Sequence, residues 1–272
     1  MTIKLVSDKK IAETSSKGNQ EKWFDSTTGN WYKLDQFGYE ALAETLISLL
    51  LEQSNIETDT PFSFVRYRME RLRVHGRERT GCVSQNFLTP GQSLITVNRL
   101  LSSYLGMPLK QKLVQLPSDK RRTAYLAEAT AEYTGLWDFP RYLPLLFEVD
   151  ALFCNDDRHL NNIAVVEQGG KYSYCPIFDN GAGLLSNTQL SQMDIAPKAL
   201  LTTLRARPFN TTFNRQMNTA RSLYGKQLVL PIFSVAQIQA AMQPLLAYYP
   251  ERDHGLIVDR VTACILTRQK AM

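Results

Sequence analysis

Histidine and cysteine are scarce in this chain, three and four of 272 residues. Cys82, Cys154, Cys175 and Cys264 are scattered, with no Cys-x-x-Cys pair and no interleaved Cys/His spacing. Neither a zinc centre nor a disulfide framework is therefore indicated, and reduced thiols fit a cytoplasmic setting. No run approaches the roughly eighteen apolar residues that a membrane span demands, and residues 1–20 hold no apolar signal core. The expectation is a protein with no membrane association, although a secreted or host-delivered effector need not show a cleavable signal. There is no Gly-x-Gly-x-x-Gly run, no Walker loop, no internal repeat and no linker that would split the chain further. No helix-turn-helix or zinc motif is present, so direct DNA binding is not expected. Charge of neither sign dominates: 31 basic residues face 26 acidic ones. Local clusters at Arg66, Arg68, Arg71, Arg73, Arg77 and Arg79, and at Lys110, Lys112, Lys120, Arg121 and Arg122, read as solvated edges that discourage strand pairing with other chains.

What is present concentrates in the run CNDDRHLNNIAVVEQGGKYSYCPIFDNGAGLL. Moving the terminal phosphoryl of ATP requires a carboxylate that holds the acceptor hydroxyl in line, and an amide oxygen and a second carboxylate that hold Mg2+ against the phosphates. Asp157 suits the first role, and Asn162 and Asp179 the metal pair. The five-residue step from Asp157 to Asn162 matches the Asp-to-Asn step of a kinase catalytic loop. An apolar segment from Ile163 to Val166, a turn over Glu167 to Lys171 and a returning strand from Tyr172 to Phe178 predict a hairpin that carries Asp179 back beside Asn162. His159 reads as a packing and hydrogen-bonding residue that shapes the loop, Arg158 as an offset to nearby charge, and Asp150 and Asp156 as helix-end or loop carboxylates.

Upstream, Gly18 allows a backbone to approach phosphate closely, with the short hydroxyls of Ser15 and Ser16 nearby. After the Thr27-Thr28-Gly29-Asn30 turn, an alternating strand puts Trp31 and Lys33 on one face and Tyr32 and Leu34 on the other. A nucleotide-binding lysine needs an acidic partner from a helix. The run from Gly38 to Gln53 has helical periodicity, with Leu42, Leu46, Leu49 and Leu50 on one side, and offers both Glu40 and Glu44.

DRHLNN followed by FDNG resembles the HipA-like family of bacterial serine/threonine kinases, and within it the compact, CtkA-like members. Ser15 to Lys22 resembles that family's Ser-x-x-Gly-x-Gln-Glu-Lys phosphate loop, and Asn30-Trp31-Tyr32-Lys33-Leu34 its ATP-lysine strand; the likeness spans about residues 12 to 190. The resemblance implies ATP and Mg2+ as cofactors. ATP-binding residues would be Ser16, Gly18, Gln20 and Lys33 with Glu40 or Glu44; Asn162 and Asp179 would be metal ligands. It further implies autophosphorylation at Ser15 or Ser16, a protein substrate such as a translation component, and a HipB-like antitoxin as partner. The extra N-terminal domain of the larger HipA proteins is not expected. A phosphoinositide kinase, whose lineage shares DRHxxNI, and a nucleotide-binding pseudokinase regulator are the alternatives.

The implied fold is α+β and two-lobed: a β-rich small lobe over 1–90 and a mainly helical large lobe over 91–272. Strands are expected over Phe62 to Val74 and Arg79 to Val83 around a His75-Gly76 turn, and Ser84 to Leu88 stands where a hinge to adenine would lie. Helical patterns follow at 95–105, 121–135 and 139–153, and Gly183 to Ala196 reads as an irregular activation-type segment. Ser234 suits an N-cap for Val235 to Tyr248, and Pro250 precedes a final helix with Leu256, Val261 and Ile265 in register.

Overall fold

The computed structural model describes Lys4–Leu5, by backbone alone, and residues 20–272 in full. Five strands, β1 (Lys4–Leu5), β2 (Lys22–Asp25), β3 (Asn30–Leu34), β4 (Arg68–Val74) and β5 (Arg77–Gln85), form one sheet in the order β1-β4-β5-β3-β2. Strand alternation divides its faces. Trp23 stacks on Tyr32 with ring centroids 5.5 Å apart, and both join Leu34, Leu72, Val74 and Val83 in an apolar cluster on one side. Lys22 pairs directly with Lys33, and Lys33 with Cys82, so these three point to the other side. His75 and Gly76, both at positive φ, close β4 onto β5.

The strand expected from Phe62 begins only at Arg68. Residues 62–67 find their backbone partners elsewhere: Ile177 N donates to the Ser63 carbonyl at 2.8 Å, and Val65 N to the Ile177 carbonyl at 2.9 Å. This extended segment stitches the sheet to the large lobe instead of prolonging β4.

Helix α1 (Glu40–Leu51) packs under the sheet, and every residue in it is buried except Leu49. Leu49 thus departs from the expected face with Leu42, Leu46 and Leu50, which lie four residues apart and share one stripe. A short α2 (Ile56–Asp59) follows.

The large lobe holds a second sheet, β6 (Ser93–Thr96), β7 (Ala164–Gln168) and β8 (Lys171–Tyr174), in that order. Ser93–Thr96 pairs with β7, so α3 (Val97–Leu105) starts two residues later than its periodicity suggests, capped by Thr96 accepting from Arg99 N. Helices α4 (Leu109–Gln115), α5 (Asp119–Thr134) and α6 (Phe139–Phe153) come next, α6 being buried along nearly its whole length. The segment 183–196 forms neither helix nor strand, as expected, apart from an isolated bridge at Asn187.

After it come α7 (Pro197–Thr203), α8 (Phe213–Tyr224), α9 (Val235–Leu246) and α10 (Glu251–Gln269). Ser234 caps α9 in a reciprocal capping box with Gln237. In α10 the buried stripe is Ile257, Val261, Cys264 and Ile265, while Leu256 is exposed, one position off the expected register. All four cysteines are buried free thiols. No helix among the described residues is long and apolar enough to cross a membrane.

Candidate active site

Lys33 reaches the cleft between the lobes because β3 is pinned on both edges, antiparallel to β2 and to β5. Its Nζ lies 2.5 Å from Glu44 Oε1 and 2.6 Å from Asp179 Oδ1, so one ammonium joins β3, α1 and the segment after β8. Glu44 uses its second oxygen to accept the backbone N–H of Asn180 at 2.9 Å. Of the two glutamates that periodicity offered, Glu44 therefore pairs with the lysine. Glu40 turns back and accepts the N–H groups of Phe37 and Gly38, at 2.7 and 3.1 Å, at the start of its own helix.

The electrostatics follow from this contact. Burial works against the Lys33 ammonium, but Asp179 and Glu44 outweigh it and hold its pKa well above the ordinary range. For Asp179 burial would raise the pKa; Lys33, and then Lys22, overcome it and keep the carboxyl far below the usual carboxylate range. Asp179 also sits in left-handed backbone, φ 60°, its carbonyl accepting from Asn155 Nδ2 at 3.2 Å. That conformation is costly for a non-glycine residue, and the surrounding contacts maintain it.

The catalytic-type loop is built around Arg158, which is fully buried. Its guanidinium pairs with Asp150 at 3.0 Å and donates to Asn180 Oδ1 at 2.7 Å. It also donates to the carbonyls of Asn162 at 3.2 Å and Phe178 at 2.6 Å. One side chain thus binds both ends of the β7–β8 hairpin, which brings the Asn162 and Asp179 stretches together as the spacing predicted. The hairpin is shorter than expected: β8 ends at Tyr174, ahead of Pro176, which has no N–H to continue a ladder.

Asp150 stands in the last turn of α6, a helix-end carboxylate as expected, and is also the buried partner of Arg158; burial pushes its pKa up to about 6 in spite of that pair. Asn155 completes the frame, donating to Asp150 and accepting from Asp157 N. His159 shapes the loop through its backbone, its N–H donating to the Asp157 carbonyl and its carbonyl accepting from Asn162 N, each at 2.8 Å, while its side chain is exposed.

Asp157 is exposed at the mouth of this frame, and burial of its surroundings raises its pKa, which His159 and Arg207 counter. Asn162 Nδ2 donates to the Asp157 carbonyl at 3.0 Å. A carbonyl can only accept, so the amide nitrogen must face it and the amide oxygen is the group left for a cation. Asp156 beside them is raised to about 6, mainly by burial and then by Asp157.

Among the described residues no group of three or more His, Cys, Asp or Glu side chains gathers to hold a metal. An ionised Asp179 with the Asn162 amide oxygen suits Mg2+, which takes one or two protein oxygens and completes its shell with phosphate and water.

Ser15, Ser16 and Gly18 lie outside the described residues. Gln20 lies within them and donates Nε2 to the Leu34 carbonyl at 2.7 Å, tying the end of the loop to the lysine strand. The sequence reading did not single out Lys22. Its signal was there in the strand alternation, because a residue directly opposite Lys33 in a hairpin must share its face. Tyr67 was also missed: its hydroxyl accepts from Asp179 N at 3.4 Å, and its ring lies 5.3 Å from Lys33 Nζ. In the expected hinge, Asn86 Oδ1 accepts from Trp31 Nε1 at 3.3 Å and Asn86 Nδ2 donates to the Leu88 carbonyl at 3.0 Å.

A β-rich lobe and a mainly helical lobe, with a strand lysine held by a helix glutamate and an aspartate between them, define a kinase-like fold. Solved structures share it. The chain resembles the Helicobacter pylori proinflammatory kinase CtkA with a TM-score of 0.60 and 13% identity, covering 94% of this chain and 92% of that one. It resembles a chain of the Shewanella oneidensis MR-1 toxin–antitoxin system HipA and HipB in complex with operator DNA, with a TM-score of 0.51 and 11% identity, covering 94% of this chain and 65% of that one. The fold is therefore the one that the HipA-like motifs implied. No protein-family model matches the chain, and no curated protein matches it either.

Proposed function

We propose that this chain is an ATP- and Mg2+-dependent protein kinase acting on serine or threonine hydroxyls. The observation that carries the reading is the double engagement of Lys33 by Glu44 and Asp179, with Asp157 exposed beside them. Lys33 orients the nucleotide phosphates, and Lys22 on the same sheet face adds a second cation. Asn162 and Asp179 hold Mg2+, which when bound neutralises charge developing on the phosphates. Asp157 orients the acceptor hydroxyl and takes its proton; burial raises its pKa, which makes it a stronger base than an ordinary aspartate.

Two features of HipA-like kinases extend this reading. Phosphate on Ser15 or Ser16 would bring nearly two negative charges to the site where the ATP phosphates bind, and would switch the enzyme off. A cellular protein is the substrate class, and a HipB-like protein the candidate partner; the Shewanella complex, in which HipA is found with HipB, supports looking for one.

The test is intact-mass and phosphosite analysis of the purified chain after incubation with Mg-ATP, beside Asp157→Ala and Asp179→Ala variants. Phosphate on Ser15 or Ser16 in the parent, absent from both variants, is the expected result. Failure to bind ATP would overturn the assignment. ATP binding without transfer, to itself or to a panel of cellular proteins, would point instead to a pseudokinase regulator.

A further inference from the structure

Arg260, in the middle of α10, is a fully buried cation whose four partners are all neutral. Nη2 donates to the carbonyls of Leu185 and Ser191 at 3.0 and 2.7 Å, Nη1 to that of Gln192 at 3.0 Å, and Nε to the Tyr39 hydroxyl at 3.2 Å. Tyr39 passes the contact on, its hydroxyl donating to the Leu184 carbonyl at 2.8 Å. One guanidinium therefore holds both ends of the irregular stretch 184–192 and the residue preceding α1.

The stretch needs such an anchor. Leu184 and Leu185 both occupy left-handed backbone, φ 57° and 58°, which a branched side chain adopts only when its surroundings force it. Their carbonyls are the ones Tyr39 and Arg260 take. Just beyond, Tyr39 N donates to the Ser186 carbonyl and Thr188 N to the Phe37 carbonyl, forming a bridge between Gly38 and Asn187. The irregular segment is thus tied to α1, the helix that supplies Glu44 to Lys33.

In many kinases this segment becomes ordered only when a phosphate added to it pairs with arginines. Here Arg158, the arginine beside Asp157, is spent on Asp150, Asn180 and two carbonyls, and Arg260 is spent on the segment's own backbone. We propose that Arg260 is a positioning residue that takes the place of an activating phosphate, so that segment 184–192 and α1 stand assembled without modification. This rests on the kinase reading above and deepens it, since it assigns how that site is switched on.

The experiment is hydrogen exchange read by mass spectrometry on the full chain, with initial rates measured in parallel, for wild type treated with phosphatase and for Arg260→Met and Tyr39→Phe. Wild type should keep its activity after phosphatase treatment. Arg260→Met should speed exchange in peptides covering 184–192 and 37–44 by about tenfold or more, with α3 to α5 unchanged. It should lower turnover about tenfold while ATP affinity changes by less than about threefold, because Lys33 and Glu44 do not touch Arg260. Tyr39→Phe, which keeps the ring and loses one donor and one acceptor, should show a smaller rise in the same peptides; it carries the test should Arg260→Met not fold. Wild-type exchange at 184–192 in both variants would overturn the proposal. So would a rise spread over the whole chain, or activity lost with removal of a phosphate from 183–196. A wild type that transfers no phosphate at all would defeat the kinase reading instead, and the exchange data would still judge the clamp.

Discussion

Lys33 and Asp179 stand 146 positions apart in the chain, and the fold brings Nζ to 2.6 Å from Oδ1. Each supports the other's charge: burial works against both charged forms, and the contact holds the Lys33 pKa up and the Asp179 pKa down. Glu44 completes the arrangement by holding the Lys33 ammonium and the Asn180 amide with its two oxygens.

The two glutamates of α1 should separate cleanly on substitution. Glu44→Gln removes the buried charge opposite Lys33 and is expected to lower phosphoryl transfer roughly 10²-fold or more, the scale on which a preorganised electrostatic group acts. Glu40→Gln should leave transfer much closer to wild type and cost about 1 kcal/mol of stability, the scale of a hydrogen bond to the Phe37–Gly38 loop. Steady-state kinetics and urea unfolding of the pair check both statements; equal losses of activity would contradict the assignment of roles.

Activity should fall on acidification at a pH above the ordinary carboxylate range. Asp157 must be ionised to accept a proton, and burial raises its pKa, so the active form is lost as pH drops through that raised value. Arg207 opposes the shift. Its replacement in Arg207→Ala should move the acidic limb of the pH–rate profile to higher pH, and a limb that stays put or moves lower would show that Arg207 does not act on Asp157.

Asp150→Ala leaves Arg158 buried without its carboxylate. Removal of one partner of a buried pair costs about 3–5 kcal/mol, so the urea midpoint should fall sharply. Asn162 and Phe178 hang on the same guanidinium, and ATP affinity in Mg2+ should weaken along with stability.

Gly38 lies where the loop before α1 crosses Ser186. A Cβ there would stand 2.0 Å from the Ser186 carbonyl oxygen, a backbone atom that cannot swing aside. Gly38→Ala should therefore break the bridge to Asn187, cost about 1–3 kcal/mol as overpacking does, and reduce turnover, as unfolding and rate measurements would show.

Much of this protein could be read from order and period along the chain. The Asp157-to-Asn162 step and the hairpin after it placed three polar groups in one neighbourhood. Alternation in β3 separated Lys33 from the apolar cluster that holds Tyr32, and Ser234 marked the start of α9. These are local relations, fixed by backbone geometry within a few residues.

Tertiary structure alone decided which groups pair over distance. Glu40 and Glu44 differ by one helical turn, and only the position of α1 under the sheet sends Glu44 to Lys33 and leaves Glu40 to hold the loop before its own helix. Residues 62–67 have a strand's composition, yet their partner is Ile177, far along the chain. Arg158 and Arg260 look like ordinary charges in sequence. They become anchors because a buried guanidinium must satisfy its donors, and the carbonyls within reach are set by packing that no local pattern encodes.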